Sequence, residues 1–328
     1  MTNKPLLICM TPVRNEAWVL PAFLKATSLW ADFIIIADQQ SIDRSKEIAL
    51  SYPKVILIEN NNPEFNESER QKILIDKARQ IEGDKILFGL DADEIFSANF
   101  IETEDWERIK KSKPGDVFWF RWANVCINQK EYWSPETYYP WMFHDDGKEL
   151  HENYVRNIHS MRIPYPLEEK QMFYINDFKV LHLNYLNTFR IDSKKRFYKF
   201  VDWEMNHRSV ISLSRNYTQL KQEDHILELN SNYIYNKPQF DFNLFDNVEL
   251  LSKKFWFDNF IYERINKYPI VNIRKLDIWD KEFLNEFKMG DPRTIENKII
   301  HFYLRTSCEI SKTLFIRLID KMLKKIGY

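Results

Sequence analysis

Lys85-Ile86-Leu87-Phe88-Gly89-Leu90-Asp91-Ala92-Asp93-Glu94 decides how the rest of the chain is read. A short apolar run suited to a buried strand ends in three acids within four positions. Like charges repel, and burial disfavours each of them, so carboxylates do not ordinarily crowd the tip of a buried strand. Either the acids splay into water, or a divalent cation lies among them. In extended backbone Asp91 and Asp93 fall on the same side and could reach one ion or its waters. Ligation by carboxylate oxygen alone suits Mg²⁺ or Mn²⁺.

Working outward, other apolar runs of strand length recur. Leu6–Met10, Phe33–Ala37 and Val55–Ile58 each read as a buried strand, with Ile86–Leu90 the fourth. Between them Leu20, Phe23, Leu24, Thr27 and Ser28 recur near helical spacing, and Ser41-Ile42-Asp43 opens a short helix running to about Leu50. Asn66-Glu67-Ser68-Glu69 is a capping-box pattern. It predicts a helix to about Ile81 that buries Leu74, Ala78 and Ile81 and turns Lys72 and Arg79 to water. Strands apolar on both faces, alternating with helices, predict an α/β fold: a mostly parallel, Rossmann-like sheet flanked by helices. Ligands of such sheets lie beyond the carboxyl ends of the strands. That rule places Thr11–Glu16, Asp38–Asp43 and Asp91–Glu94 on one rim.

Composition narrows the function classes. The net charge of −1 supplies no global basic field for nucleic acid. Cys9, Cys126 and Cys308 form no CxxC pair, which argues against a disulfide framework or zinc knuckle and makes a reducing, cytoplasmic compartment the default. The six glycines are too scattered to build a GxGxxG or P-loop cradle, so bound phosphates would need another source of positive charge. The amino-terminal run is too short for a signal peptide, and no apolar run approaches the ~20 residues that span a bilayer.

From Phe118 to Phe143 the chain is dense in Trp, Tyr and Phe, read mainly as core and as the wall of an irregular subdomain, with sugar stacking open to some rings. Beyond about Asn187 the texture turns helical with mixed charge. The stretch Lys312–Lys325 is amphipathic, with Leu314, Phe315, Leu318, Ile319 and Met322 on one face and mainly basic residues on the other. An interfacial helix on anionic lipid and a surface helix packed on its own domain share that pattern.

In this order the segments resemble the family 2 inverting glycosyltransferases, which have the glycosyltransferase A fold. The resemblance rests on Met10-Thr11-Pro12-Val13-Arg14-Asn15-Glu16, Ala37-Asp38-Gln39-Gln40-Ser41-Ile42-Asp43, Arg70 followed by Gln71, and Leu90-Asp91-Ala92-Asp93-Glu94. These cover roughly the first 95 residues, and the family usually has Gly where Gln40 stands. Leu150-His151-Glu152, Leu181-His182-Leu183-Asn184-Tyr185 and Lys194-Lys195-Arg196-Phe197-Tyr198 look like elements of the branch resembling lipopolysaccharide-core glucosyltransferases. The last ~130 residues have no such counterpart.

The resemblance implies a nucleotide-sugar-binding and catalytic domain over 1–186, and the helical texture beyond it reads as a C-terminal extension over 187–328, associated with acceptor or membrane. The resemblance implies a UDP-type donor, a glycan or lipid-linked acceptor, and work at the inner face of the cytoplasmic membrane; the amphipathic pattern adds peripheral contact with anionic membrane through 312–328. Thr11, Val13, Arg14, Glu16, Asp38, Ser41, Arg70, Asp91 and Ala92 would hold the nucleotide sugar. Asp93, Asp91 and His182 would hold Mg²⁺ or Mn²⁺, although a lone His is more often structural. Arg70 has an alternative as a surface partner of Glu67 or Glu69. Glu152 is the candidate general base, with Glu94, Asp145 and Asp146 as rivals. A nucleotidyltransferase and a non-catalytic sugar-nucleotide-binding module are the competing readings.

Overall fold

The computed structural model describes residues 4–62, 64–148, 160–164, 171–217, 226–251 and 255–328. The chain opens with alternating units: β1 (Leu6–Val13), α1 (Leu20–Ser28), β2 (Phe33–Asp38), α2 (Ser45–Leu50), β3 (Val55–Glu59), α3 (Glu67–Arg79) and β4 (Lys85–Gly89). After β4 come β5 (Glu94–Phe96), α4 (Glu104–Lys110), β6 (Val117–Phe120), β7 (Trp122–Val125), β8 (Glu131–Trp133) and β9 (Tyr139–His144). Then β10 (Met172–Tyr174) and β11 (Val180–His182) precede the helices α5 (Thr188–Asn206) and α6 (Val210–Tyr217), and β12 (Leu227–Glu228) follows. The remaining helices are α7 (Trp256–Ile265), α8 (Ile270–Ile273), α9 (Lys281–Glu286), α10 (Ile295–Thr306) and α11 (Leu314–Lys325).

Two compact units result: residues 1–186 with 223–251, and residues 187–222 with 252–328. The expected boundary near 187 is therefore crossed a second time, since 223–251 returns to the first unit. Its reason is packing: Leu227 and Glu228 pair with Tyr132 and Glu131, and buried Tyr235 donates its hydroxyl to the Phe96 carbonyl at 2.8 Å.

The first unit is built on a seven-stranded sheet, ordered β10-β6-β9-β4-β1-β2-β3. β3, β2, β1 and β4 run parallel, and β9 is antiparallel to both β4 and β6. This is the α/β architecture expected from the alternating apolar runs. Successive strands step outward from β1 to β3, and the chain then returns across β1 to place β4 on its other side. The loops leaving β1 and β4 therefore diverge at their carboxyl ends, the crevice where open α/β sheets take ligands. A second sheet, β12-β8-β7-β11-β5, aligns His182 with both Glu94 and Asn124.

Local details depart from the expectation in instructive ways. β1 continues to Val13 rather than stopping at Met10, because Thr11, Pro12 and Val13 pair with Ile36, Ala37 and Asp38. Pro12 is tolerated there because the pairing with β4 has already ended at Met10 and Gly89, so no ladder bond needs its missing N–H. α2 starts at Ser45, not Ser41, since Ser41 and Asp43 are used in bonds across to the loop after β1. Asn66 caps α3 by accepting from the Glu69 N–H at 3.1 Å, but the Glu69 carboxylate accepts from Asn62 instead of closing the box. Arg79 does not face water: it forks onto Asp145 at 2.8 and 3.2 Å. That ion pair gives Asp145 a structural partner and removes it as a ready general base.

The aromatic stretch is sheet rather than irregular wall. Phe118, Phe120, Trp141 and Phe143 are buried, while Trp122 and Tyr139 are half-buried. In the second unit the Lys194–Tyr198 stretch lies on α5, where buried Arg196 forks onto Asp258 at 2.8 and 2.7 Å and also reaches Asp280 at 2.6 Å. No helix among the described residues is long and apolar enough to cross a membrane.

Candidate active site

The rim forms from two interlocked loops. Asn15 is left-handed, with φ 55°, and its side-chain oxygen accepts from the Ile42 N–H at 2.7 Å. In return the Asn15, Glu16 and Ala17 N–H groups donate to Ser41 Oγ, Ser45 Oγ and Asp43 Oδ2 at 2.9, 2.9 and 3.0 Å. Gln40 also takes φ 55°, so the backbone keeps a glycine-like conformation without the glycine. Asp38 closes this turn by accepting from the Ser41 N–H at 3.0 Å.

These bonds sort the expected nucleotide-site residues. Ser41 builds the loop, and Glu16 accepts from the Trp18 indole at 2.6 Å. Val13 is a buried strand residue whose carbonyl accepts from the Gln39 N–H. Thr11 and Asp38 differ: Thr11 Oγ1 and Asp38 Oδ1 are buried at the strand ends with no hydrogen-bond partner among the described residues. Buried polar atoms are nearly always satisfied, so these two oxygens are unusual in the first unit's rim. Arg14 is half-buried on the same loop. Arg70 packs its guanidinium over the Phe65 ring at 5.4 Å rather than pairing with a neighbouring glutamate, and its Nε is buried without a partner among the described residues.

At the end of β4 the backbone turns at once: the Glu94 N–H donates to the Asp91 carbonyl at 2.9 Å. Asp91 and Asp93 therefore do not share one side of an extended strand, which corrects the reading from alternation. Asp91 stays partly exposed and accepts from Arg162 at 2.6 Å. Ala92 is buried inside the turn. Asp93 is buried and lies 3.8 Å from His182 Nε2. Glu94 is fully buried, takes a fork from Arg162, and accepts from the Trp122 indole at 2.7 Å. Held from both sides, Glu94 is a scaffold acid and not an accessible base.

Arg162 and Trp122 are the site residues that sequence reading missed. Arg162 reaches the acids because its backbone crosses Gly89: a Cβ on Gly89 would stand 2.7 Å from Arg162 Cβ and 2.8 Å from its carbonyl oxygen. The only trace of this in the sequence is a glycine in a buried strand immediately before the acids. Trp122 stacks on His182 with ring centres 5.1 Å apart and sits 4.4 Å from Tyr139 and 5.0 Å from Trp141.

Electrostatics follow from burial. Burial pushes the Glu94 carboxyl up, Asp91 and Asp93 add to the rise, and Arg162 opposes it. Burial by itself would lower the Arg162 guanidinium, but Asp91 and Glu94 more than reverse that and hold its proton firmly. The expected metal set is not gathered: among the described residues no three His, Cys, Asp or Glu converge on one point. What is assembled is a pair, Asp93 and His182. The His182 Nδ1 lies 2.7 Å from Asn124 Oδ1, which fixes the ring with Nε2 toward Asp93. Two protein ligands suit a hard cation whose other ligands are substrate phosphates and water. Glu152, His151 and Leu150 lie outside the described residues; Asp146 is on the loop beyond β9.

No protein-family model matches the chain, and no curated protein does. Among solved structures it is similar to glucosyl-3-phosphoglycerate synthase from Mycobacterium tuberculosis in complex with Mn²⁺, UDP and glucosyl-3-phosphoglycerate, at 15% identity and TM-score 0.29 over 36% of this chain and 44% of that one. The chain thus spans less than half the length of that synthase. It is also similar to the inositol-1-phosphate CTP transferase from T. maritima, at 8% identity and TM-score 0.35 over 54% of this chain and 89% of that one.

Proposed function

We propose that the chain is a metal-dependent inverting glycosyltransferase that moves a sugar from a nucleoside-diphosphate donor of the UDP type to a hydroxyl of a glycan or lipid-linked acceptor, within cell-surface glycan assembly. The observation that carries this reading is the crevice between β1 and β4, where Arg162 clasps Asp91 and Glu94 and Asp93 lies beside the His182 imidazole. A divalent cation held by Asp93 and His182 would place positive charge beside these acids.

Thr11 Oγ1 and Asp38 Oδ1 offer a hydroxyl and a carboxylate to the ribose or base, with Arg14 on the same loop. Arg70 adds a cation from α3 near the phosphates. When bound, the metal supplies a Lewis acid for the departing diphosphate. Arg162 keeps Asp91 and Glu94 in place, so Asp93 stays oriented toward His182. The acceptor oxygen attacks the anomeric carbon from the face opposite the diphosphate. The carbon–oxygen bond to the diphosphate breaks, and the hydroxyl proton passes to the Glu152 carboxylate as general base.

Incubation with a panel of sugar nucleotides, with and without chelator, tests this. Metal-dependent release of nucleoside diphosphate is the expected result. Release of pyrophosphate from a nucleoside triphosphate and a sugar phosphate would instead establish a nucleotidyltransferase. Binding of nucleotide with neither product would leave a non-catalytic module.

A further inference from the structure

We infer that the exposed apolar and basic face of α11 docks on an anionic lipid bilayer. The inference does not rest on the sugar-transfer reading. An amphipathic helix normally turns its apolar stripe toward its own core. α11 does not. Its buried or half-buried residues are Ile316, Ile319, Asp320 and Leu323, with Asp320 held by Arg215 at 2.9 Å and Tyr303 at 2.8 Å. The stripe of Leu314, Phe315, Leu318 and Met322 lies on another side of the helix and is 54–75% exposed. α10 repeats the pattern: Asn297, Ile300, His301 and Leu304 are buried, while Ile299 and Phe302 are 63% and 69% exposed.

Charge chooses the occupant. Lys321 and Lys325, one helical turn apart, border the α11 stripe, and Arg317 and Lys324 continue the basic flank. None of these four is in an ion pair among the described residues. Protein–protein interfaces are depleted in lysine, which makes a second copy of the chain a poor fit. Lysines beside exposed aliphatic and aromatic side chains suit a lipid surface, where stems lie along the acyl boundary and ammonium groups reach the phosphates. The charge needed on the partner is negative, and the apolar stripe needs acyl chains rather than free phosphate.

The test is co-sedimentation of the full chain with vesicles of phosphatidylcholine alone and of phosphatidylcholine mixed with phosphatidylglycerol. Binding to the mixed vesicles only, weakened by added salt, is expected. Phe315→Ser with Leu318→Ser should lower the partition by about tenfold or more, because two exposed anchors are lost. Lys321→Gln with Lys325→Gln should lower it by several-fold and flatten the salt dependence. All four side chains are exposed, so circular dichroism and thermal midpoint should match the wild type. No binding to anionic vesicles, equal binding to both vesicle types, or binding unchanged in both variants would overturn the inference. So would a concentration-dependent dimer in solution that the Phe315→Ser/Leu318→Ser variant abolishes, since the stripe would then be a self-association face.

Discussion

Each unit buries charged groups, and burial has opposite outcomes at Asp277 and at Glu94. In the second unit a single carboxylate, Asp277, meets Lys199 at 3.0 Å, Arg305 at 2.5 Å and His301 at 3.7 Å. Burial pushes the Asp277 carboxyl up, but Lys199 and Arg305 outweigh it and hold it well below the ordinary carboxylate range. In the first unit Arg162 is shared by Asp91 and Glu94, and burial wins at Glu94. A cluster with cations in excess of acid is self-sufficient and serves to tie helices together.

That contrast can be broken experimentally, and the largest effect belongs to Asp93. Asp93→Ala should lower turnover by at least about a hundredfold, on the scale of losing a principal charge-stabilising group. It should also abolish the rise in thermal midpoint expected of the wild type with Mn²⁺ and UDP, since a ligand that binds the folded form stabilises it. Differential scanning fluorimetry separates this from simple unfolding, since the apo midpoint should move little.

Arg162→Ala should leave Glu94 buried without its counter-charge and cost about 3–5 kcal/mol in urea unfolding. Arg162→Lys should recover part of that loss but not the fork across Asp91 and Glu94. Equal stability for Arg162→Ala and wild type would show that the acids are not held as described.

Asp277→Asn tests the opposite cluster. It should cost about 2–3 kcal/mol near neutral pH, where the wild-type carboxylate bonds to charged partners. Because the folded carboxyl is held low, its contribution is present above about 3.8 and is lost as pH falls through the folded value. The gap between variant and wild type should therefore narrow below about pH 4, measured by urea unfolding across an acid series. A constant gap would make Asp277 a packing residue only.

The smallest effect expected is at Gly89. Gly89→Ala should cost about 1–3 kcal/mol by overpacking against the Arg162 backbone. It should also weaken metal-dependent nucleotide binding without touching any group that contacts the metal.

Much of the nucleotide side of the rim was legible in the chain. Leu6–Met10, Phe33–Ala37, Val55–Ile58 and Ile86–Leu90 declare themselves as strands because burial on both faces demands apolar runs of that length. The acids after Leu90 then fall on the rim by topology alone. Asn66 and the apolar positions of α3 were equally readable, since caps and helical spacing are local physics. The register of Thr11–Val13 was not, because an extra pair of residues in a ladder is set by the neighbouring strand. The direction in which Arg79 points was hidden for the same kind of reason: its partner, Asp145, lies 66 positions away.

By itself, then, the sequence determined the alternating α/β scaffold, the parallel edge on which Thr11, Asp38 and Asp91–Glu94 assemble, and the amphipathic character of Leu314–Lys325. Backbone periodicity and the cost of burying polar groups operate within a few residues, so such features are written locally. Only the tertiary structure decided that Asp91 and Asp93 part company at a tight turn, that Arg162 and Trp122 clasp Glu94, and that the apolar stripe of α11 faces away from its own core. Each of those depends on where a distant segment comes to rest, and a charge or an apolar face takes its role from the partner it meets in space.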